Sequence, residues 1–171
     1  MPTGTEAGHR ARVSQTSLQV LSFPFPPRLP MPMTSKLHSD TTTDGIRIQA
    51  AATYLPQESA PNNPHVFGYQ ITMTNVDAPT SRLLSRHWII VDSNGHREEV
   101  RGEGVVGEYP RLAPGESFSY VSYCPIATPW GTMEGSYTFE RLDGSRFEVM
   151  VGRFFLVPNA PALPLESQAR S

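Results

Sequence analysis

The 171-residue chain has a single cysteine, Cys124, so it can neither close an internal disulfide nor build a zinc site from thiolates. That usage fits a reducing compartment, and the expected location is the cytoplasm. Charge of one sign is also missing. Fourteen Lys and Arg face 16 Asp and Glu, a formal net charge of −2, which leaves no global basic field for nucleic acid or an anionic membrane. No run approaches the roughly 18 consecutive apolar residues of a membrane-spanning helix, so neither a membrane nor a nucleic acid is an expected partner. A GxSxG elbow, an HExxH helix and a Walker loop are all absent. The five histidines at 9, 38, 65, 87 and 96 never fall at the short spacing of a transition-metal site. These absences set the expectation of a chain that is no enzyme and carries no cofactor or dedicated metal.

What is abundant is turn chemistry. Seventeen Pro and 13 Gly interrupt any long helix and leave a helical bundle nearly excluded, while the length suits one core plus tails. Residues 1–40 are mildly basic and rich in proline, with the run from Phe23 to Pro32 denying the donors that a helix or central strand requires. This segment reads as a disordered extension. The prolines break Val20 to Leu29 before a secretory signal can form. Import into an organelle, suggested by Arg10, Arg12, Ser14 and Ser17, is the alternative to a solvated extension preceding a start at Met31 or Met33. Residues 159–171 read as a flexible tail.

From Gly45 onward the dominant period is two. Phe67, Tyr69, Ile71 and Met73 alternate with Gly68, Gln70, Thr72 and Thr74, the pattern of a half-buried antiparallel strand. His87 to Val91 is apolar on both faces and reads as a central strand. Asn94-Gly95, Pro114-Gly115 and Asp143-Gly144 supply turns between such runs. The spacing predicts seven strands, at about 45–55, 65–75, 82–92, 97–103, 116–123, 134–141 and 146–157. Seven short antiparallel strands predict an all-β sandwich of immunoglobulin or fibronectin III type, and its edge strands leave a homodimer open.

The conspicuous motif is a formal GxGxxG at Gly102, Gly104 and Gly107. In dinucleotide enzymes the motif opens a helix whose N-terminal amides hold a pyrophosphate. Here Pro110 and Pro114 follow too soon for a helix, which argues against that site. A glycine-rich loop can still present its amides as an anion nest, with Arg101 and Arg111 adding charge for a small phosphate-bearing ligand. Glu103 and Glu108 oppose that reading, and the alternative is architectural: a bulge or a tight crossing between sheets. Glu98, Glu99, Glu103 and Glu108 offer at most weak cation binding, because Arg97 and Arg101 share the face of Glu99 on a strand. Cys124 reads as a small packing residue, having no adjacent base to activate it. Tyr109 and Trp130, placed near loops, are the candidate anchors of an interaction surface.

The order Gly102 to Gly107, Pro110, Leu112-Ala113-Pro114-Gly115-Glu116, Tyr120, Ser122 and Thr128 to Tyr137 resembles the signature of the ApaG family. Leu84 to Trp88 and Phe154 to Pro158 extend the likeness over about residues 43–158. Trp130 stands where the family pattern is open. The resemblance implies a fibronectin III-like sandwich and a binding module that recognises another protein or a small ligand. It also implies a loose association with cobalt and magnesium homeostasis, and a pyrophosphate reading of the glycine motif. Related domains in eukaryotic F-box proteins and a polymerase-interacting protein resemble protein-interaction modules.

Overall fold

The computed structural model describes residues 37–59 and 64–158, which build two antiparallel sheets without a helix. The readings of residues 1–36 and 159–171 lie outside the described residues. One sheet has the order β1 (Ser39–Thr43), β2 (Ile46–Tyr54), β3 (His65–Asn75) and β7 (Ser117–Ile126). The other has the order β5 (Arg97–Glu103), β4 (Ser81–Asp92), β8 (Gly131–Arg141) and β9 (Arg146–Leu156), with β6 (Arg111–Leu112) paired to the start of β4. We refer to them as the β3 sheet and the β4 sheet. The all-β sandwich expected from the alternation is present.

Period two explains why the sheets stack. Along β3 the even-spaced Phe67, Ile71 and Met73 are fully buried, and Leu83, Tyr137, Phe139 and Phe154 face them from the other sheet. Burying a side chain of this size stabilises the fold by roughly 1.5–3 kcal/mol. Trp88 sits at the centre of this core, its ring 5.7 Å edge-on to both Tyr69 and Tyr137. The indole needs Gly135 on the neighbouring strand, because a Cβ there would lie 2.0 Å from the His87 carbonyl oxygen and 3.1 Å from the indole.

Among the described residues, nine strands replace the expected seven. β1 escaped notice because its sequence, Ser39 to Thr43, carries no large apolar residue, yet it pairs with β2 and lies over β9. The Phe155 amide donates to the Leu37 carbonyl and the Met150 amide to the Thr43 hydroxyl. The ordered body thus reaches back before position 43, into residues assigned to the extension. β6 is too short to show a period.

The three expected turns lie at the expected dipeptides. Asn94-Gly95 and Asp143-Gly144 place only the glycine at positive φ, 82° and 83°, inside loops closed by Gly95 to Asp92 and Gly144 to Arg141 hydrogen bonds. These are three-residue hairpin loops. Pro114-Gly115 makes a type II turn, with Gly115 at φ 87° and the Glu116 amide donating to the Ala113 carbonyl.

Candidate functional site

The glycine motif lies where the strand running along β4 leaves that strand and returns. β5 pairs with β4 from Val91 to Ser85, and β6 resumes on the same edge at Arg82 and Ser81. Between them, residues 104–110 make an excursion from that pairing, held at its base by Gly104 donating to the Leu84 carbonyl and Leu83 donating to the Pro110 carbonyl, with Val105 fully buried in the core. It is therefore an insertion within one sheet edge, not a crossing between sheets. Its tip is a hairpin in which Val105 and Glu108 exchange backbone hydrogen bonds of 2.9 and 2.8 Å. Val106 at φ 46° and Gly107 at φ 79° give it two consecutive left-handed residues, a type I′ turn.

The glycines serve that geometry separately. Gly107 accepts the left-handed backbone, and a Cβ on Gly104 would lie 2.5 Å from the Glu108 carbonyl oxygen. At Gly102 the space is taken by Arg86, whose Nη2 lies 2.7 Å from where a Cβ would be. Arg86 donates to the Glu103 and Gly104 carbonyl oxygens at 2.9 and 2.8 Å. The loop thus turns carbonyls toward a guanidinium, while the Val105 and Glu108 amides bond within the excursion and the Gly104 amide bonds to Leu84.

The arginines expected beside the loop are separated. Arg101 is on the exposed outer face of β5, 3.6 Å from a Glu99 oxygen that also accepts from His87 Nε2 at 2.7 Å. Arg97 completes that cluster, and together His87 and Arg97 hold the Glu99 carboxyl below its ordinary pKa. Arg111 is on β6, beside a cleft of about 120 Å³ at the start of β4 that Arg82, Glu140 and Arg141 also line. Sequence reasoning missed Arg82 because its approach to Arg111 depends on strand register. No spacing along the chain signals it.

Tyr109 and Trp130 do not form one surface. Tyr109, 41% exposed, lies under the Arg82 guanidinium at 5.3 Å, at the start of β4. Trp130, 48% exposed, precedes Gly131, which is paired with Asp92 at the other end of β4. The ten steps between Arg82 and Asp92 span roughly 33 Å of strand.

Cys124 is buried, and burial pushes its thiol up to about 12, the wrong direction for a nucleophile. Tyr120 and Tyr137 share a buried 2.6 Å hydroxyl hydrogen bond, and desolvation raises both phenols well above their ordinary range. Among the described residues no group of three His, Cys, Asp or Glu side chains is placed to hold a metal ion. No described helix is long and apolar enough to cross a membrane.

Among the described residues, the β3 sheet ends in an unpaired edge at β7. The Asn75 amide donates to the Glu116 carbonyl, which sets the hydrogen-bonding phase of this antiparallel pair. By that phase Phe118, Tyr120, Ser122 and Cys124 bond to β3, while the backbone groups of Ser117, Ser119, Val121 and Tyr123 point away from it. No charged residue occurs in β7, whereas β5, an edge of the other sheet, carries Arg97, Glu98, Glu99, Arg101 and Glu103. Beside β7, hydroxyl pairs Thr72–Ser119 and Thr74–Ser117, each at 2.8 Å, continue an uncharged outer face.

Residues 56–141 match the family model described as the ApaG domain. Protein ApaG from Azoarcus sp. strain BH72 is 48% identical over 119 residues, covering 69% of this chain and 94% of that protein. Protein ApaG from Anaeromyxobacter dehalogenans strain 2CP-C is 44% identical over 119 residues, again 94% of its length. The crystal structure of an ApaA protein from Bordetella pertussis superposes with a TM-score of 0.64 at 42% identity, covering 67% of this chain and 94% of that one. With the motif order, the two-sheet architecture and these relatives in agreement, the chain belongs to the ApaG domain family.

Proposed function

We propose that this protein is a non-enzymatic recognition module that accepts an extended segment of another protein along β7. The observation carrying this reading is the uncharged free edge, whose backbone donors and acceptors at Ser117, Ser119, Val121 and Tyr123 point away from β3. A bare strand edge is a hazard that folds ordinarily blunt with charge, as β5 does here. Left bare, it is a template for strand addition, in which main-chain hydrogen bonds supply affinity and alternate side chains supply specificity. The exposed Val121 side chain and the Thr and Ser hydroxyls beside it would read the incoming residues. The strand order, β2-β3-β7 with a flanking β1 against β5-β4-β8-β9 with the short β6, supports the fibronectin III-like subtype of sandwich. A role in divalent-cation homeostasis would act through such a partner, since no described cluster is arranged for the ion.

The test is selection of a random displayed-peptide library on the wild-type protein and on Val121→Pro. Proline removes one outward donor without touching the bonds to β3. Peptides retained by the wild type and lost by the variant, and protecting the Ser119, Val121 and Tyr123 amides from exchange, support the reading. Peptides that bind both proteins equally, or that protect the loop at Trp130 instead, overturn it.

A further inference from the structure

β5 is the free edge of the β4 sheet among the described residues, with the sequence Arg97-Glu98-Glu99-Val100-Arg101-Gly102-Glu103. The Asp92 amide donates to the His96 carbonyl before it and the Gly104 amide to the Leu84 carbonyl after it, which sets the phase of its pairing with β4. By that phase Glu98, Val100 and Gly102 bond to β4, while the backbone groups of Arg97, Glu99, Arg101 and Glu103 point away from it. One of those outward groups, the Glu103 carbonyl, is taken by Arg86. The side chains of the same four residues share the outer face of the sheet, where Glu99 meets His87, Arg97 and Arg101, and their charges alternate in sign.

Within one copy these charges are unevenly matched. His87, Arg97 and Arg101 all approach Glu99, whereas neither Glu98 nor Glu103 makes an ion pair among the described residues. On the inner face Arg86 lies across Gly102 to reach the Glu103 carbonyl, with its Nη1 at 2.9 Å, and it has no carboxylate partner among the described residues either. A strand edge carrying charge is blunted against most incoming strands. It stays open to one whose charges are opposite at each matched position, and the alternation along β5 is complementary to itself when the strand is reversed.

We propose that β5 pairs antiparallel with β5 of a second copy across a two-fold axis at Val100, joining the two β4 sheets into one. In that register the facing outward pairs are Arg97 with the partner's Glu103 and Glu99 with the partner's Arg101, each occurring twice by symmetry. Val100 meets its own copy at the axis. Glu98 falls opposite the partner's Gly102, over which the partner's Arg86 lies, so each carboxylate of β5 gains a cation. Opposite charges facing across strands stabilise pairing, and like charges oppose it. Moving the axis one residue, to Glu99 or Arg101, sets Arg97 against the partner's Arg101 or Glu99 against the partner's Glu103, and the central residue against itself. Moving it two residues leaves only 97–99 or 101–103 of β5 overlapping its copy. Charge therefore selects one register of those that the backbone phase allows. The pairing goes beyond recognition at β7, because it uses the edge of the other sheet and a different observation.

The experiment follows the full chain by sedimentation equilibrium from micromolar concentration to about 1 mM, with amide hydrogen exchange measured at both ends of the series. The expected result is a reversible monomer–dimer equilibrium, weakened by salt, with concentration-dependent protection of the Arg97, Glu99, Arg101 and Glu103 amides. The Val100 amide, bonded to β4 in either state, should not change. Arg97→Glu and Glu103→Arg each turn both Arg97–Glu103 contacts repulsive and should weaken self-association at least about tenfold. Mixed in equal amounts, the two variants should pair with each other about as tightly as the wild type pairs with itself, because each carries the charge that the other lacks. A variant that had merely failed to fold would not regain a partner in this way. Arg146→Glu, an equal change of net charge placed on β9, should leave association unchanged. A monomer throughout the series, a dimer untouched by Arg97→Glu, variants that stay apart on mixing, or protection falling on Ser119, Val121 and Tyr123 instead would each overturn the proposal.

Discussion

Removing the Asn75 side chain should damage this protein more than any other loss of a single polar group, because Asn75 ties three segments together. It is fully buried at the end of β3. Its Nδ2 donates to the Ala78 carbonyl at 2.9 Å and to the Leu112 carbonyl at 3.0 Å, and its Oδ1 accepts from the Ala78 amide at 2.7 Å. Asn75→Ala removes three hydrogen bonds worth about 1 kcal/mol each and leaves the Ala78 amide unsatisfied in a buried place, a total of about 3–4 kcal/mol. For a body of this size that lowers Tm by roughly 10–15 °C, measured by calorimetry. Leu112 is in β6, so the pairing of β6 with the start of β4 should loosen as well. Asn75→Asp gives a sharper signature. It retains the acceptor for Ala78 but sets a carboxylate against two carbonyl oxygens, and burial raises its pKa above the unfolded value. The penalty is then present at neutral pH and vanishes as pH falls toward the unfolded pKa, about 3.9, so the gap to wild type narrows in acid. A Tm loss in Asn75→Ala no greater than that of the half-buried Thr74→Ala would refute the reasoning.

Three further outcomes follow from the packing. Gly102→Ala should destabilise by clashing with the Arg86 guanidinium, and Arg86→Ala in the same chain should recover part of that loss, read as a non-additive double-mutant cycle in urea. Additive effects would reject the contact. Gly135→Ala puts a Cβ 2.0 Å from the His87 carbonyl oxygen and should abolish cooperative unfolding by near-UV circular dichroism; a native spectrum would contradict the close approach of β4 and β8. Stability should fall as pH rises past about 8.5 and again past 10, where unfolded thiol and phenols release protons that folded Cys124, Tyr120 and Tyr137 retain. The slope is about 1.4 kcal/mol per pH unit per group. Cys124→Ala should flatten the first step in unfolding free energies measured from pH 8 to 10, and an unchanged slope would count against the buried thiol.

Much of the sandwich was legible because alternation is a local property. Phe67, Tyr69, Ile71 and Met73 could bury one face only as a strand, and His65–Asn75 forms as read. The seven runs with apolar periodicity are all strands, whereas β1 is not legible: Ser39 and the threonines after it owe their place to β2 and β9, not to their own hydrophobicity. The glycine motif shows a different limit. GxGxxG says that backbone freedom is required, and three distinct demands satisfy that description here: a left-handed tip at Gly107, a close carbonyl at Gly104 and room for Arg86 at Gly102.

The sequence by itself determined the fold class, the turn-rich antiparallel order and the family, because period, turn residues and motif order are written along the chain. Only the tertiary structure decided which side chains meet. Arg82 and Arg111 lie far apart in sequence and meet because β4 pairs with β6. The same pairing parted Arg111 from Arg101 and Tyr109 from Trp130. Cross-strand register is a sum over long-range contacts, so a site built across strands exists only once the sheet has closed.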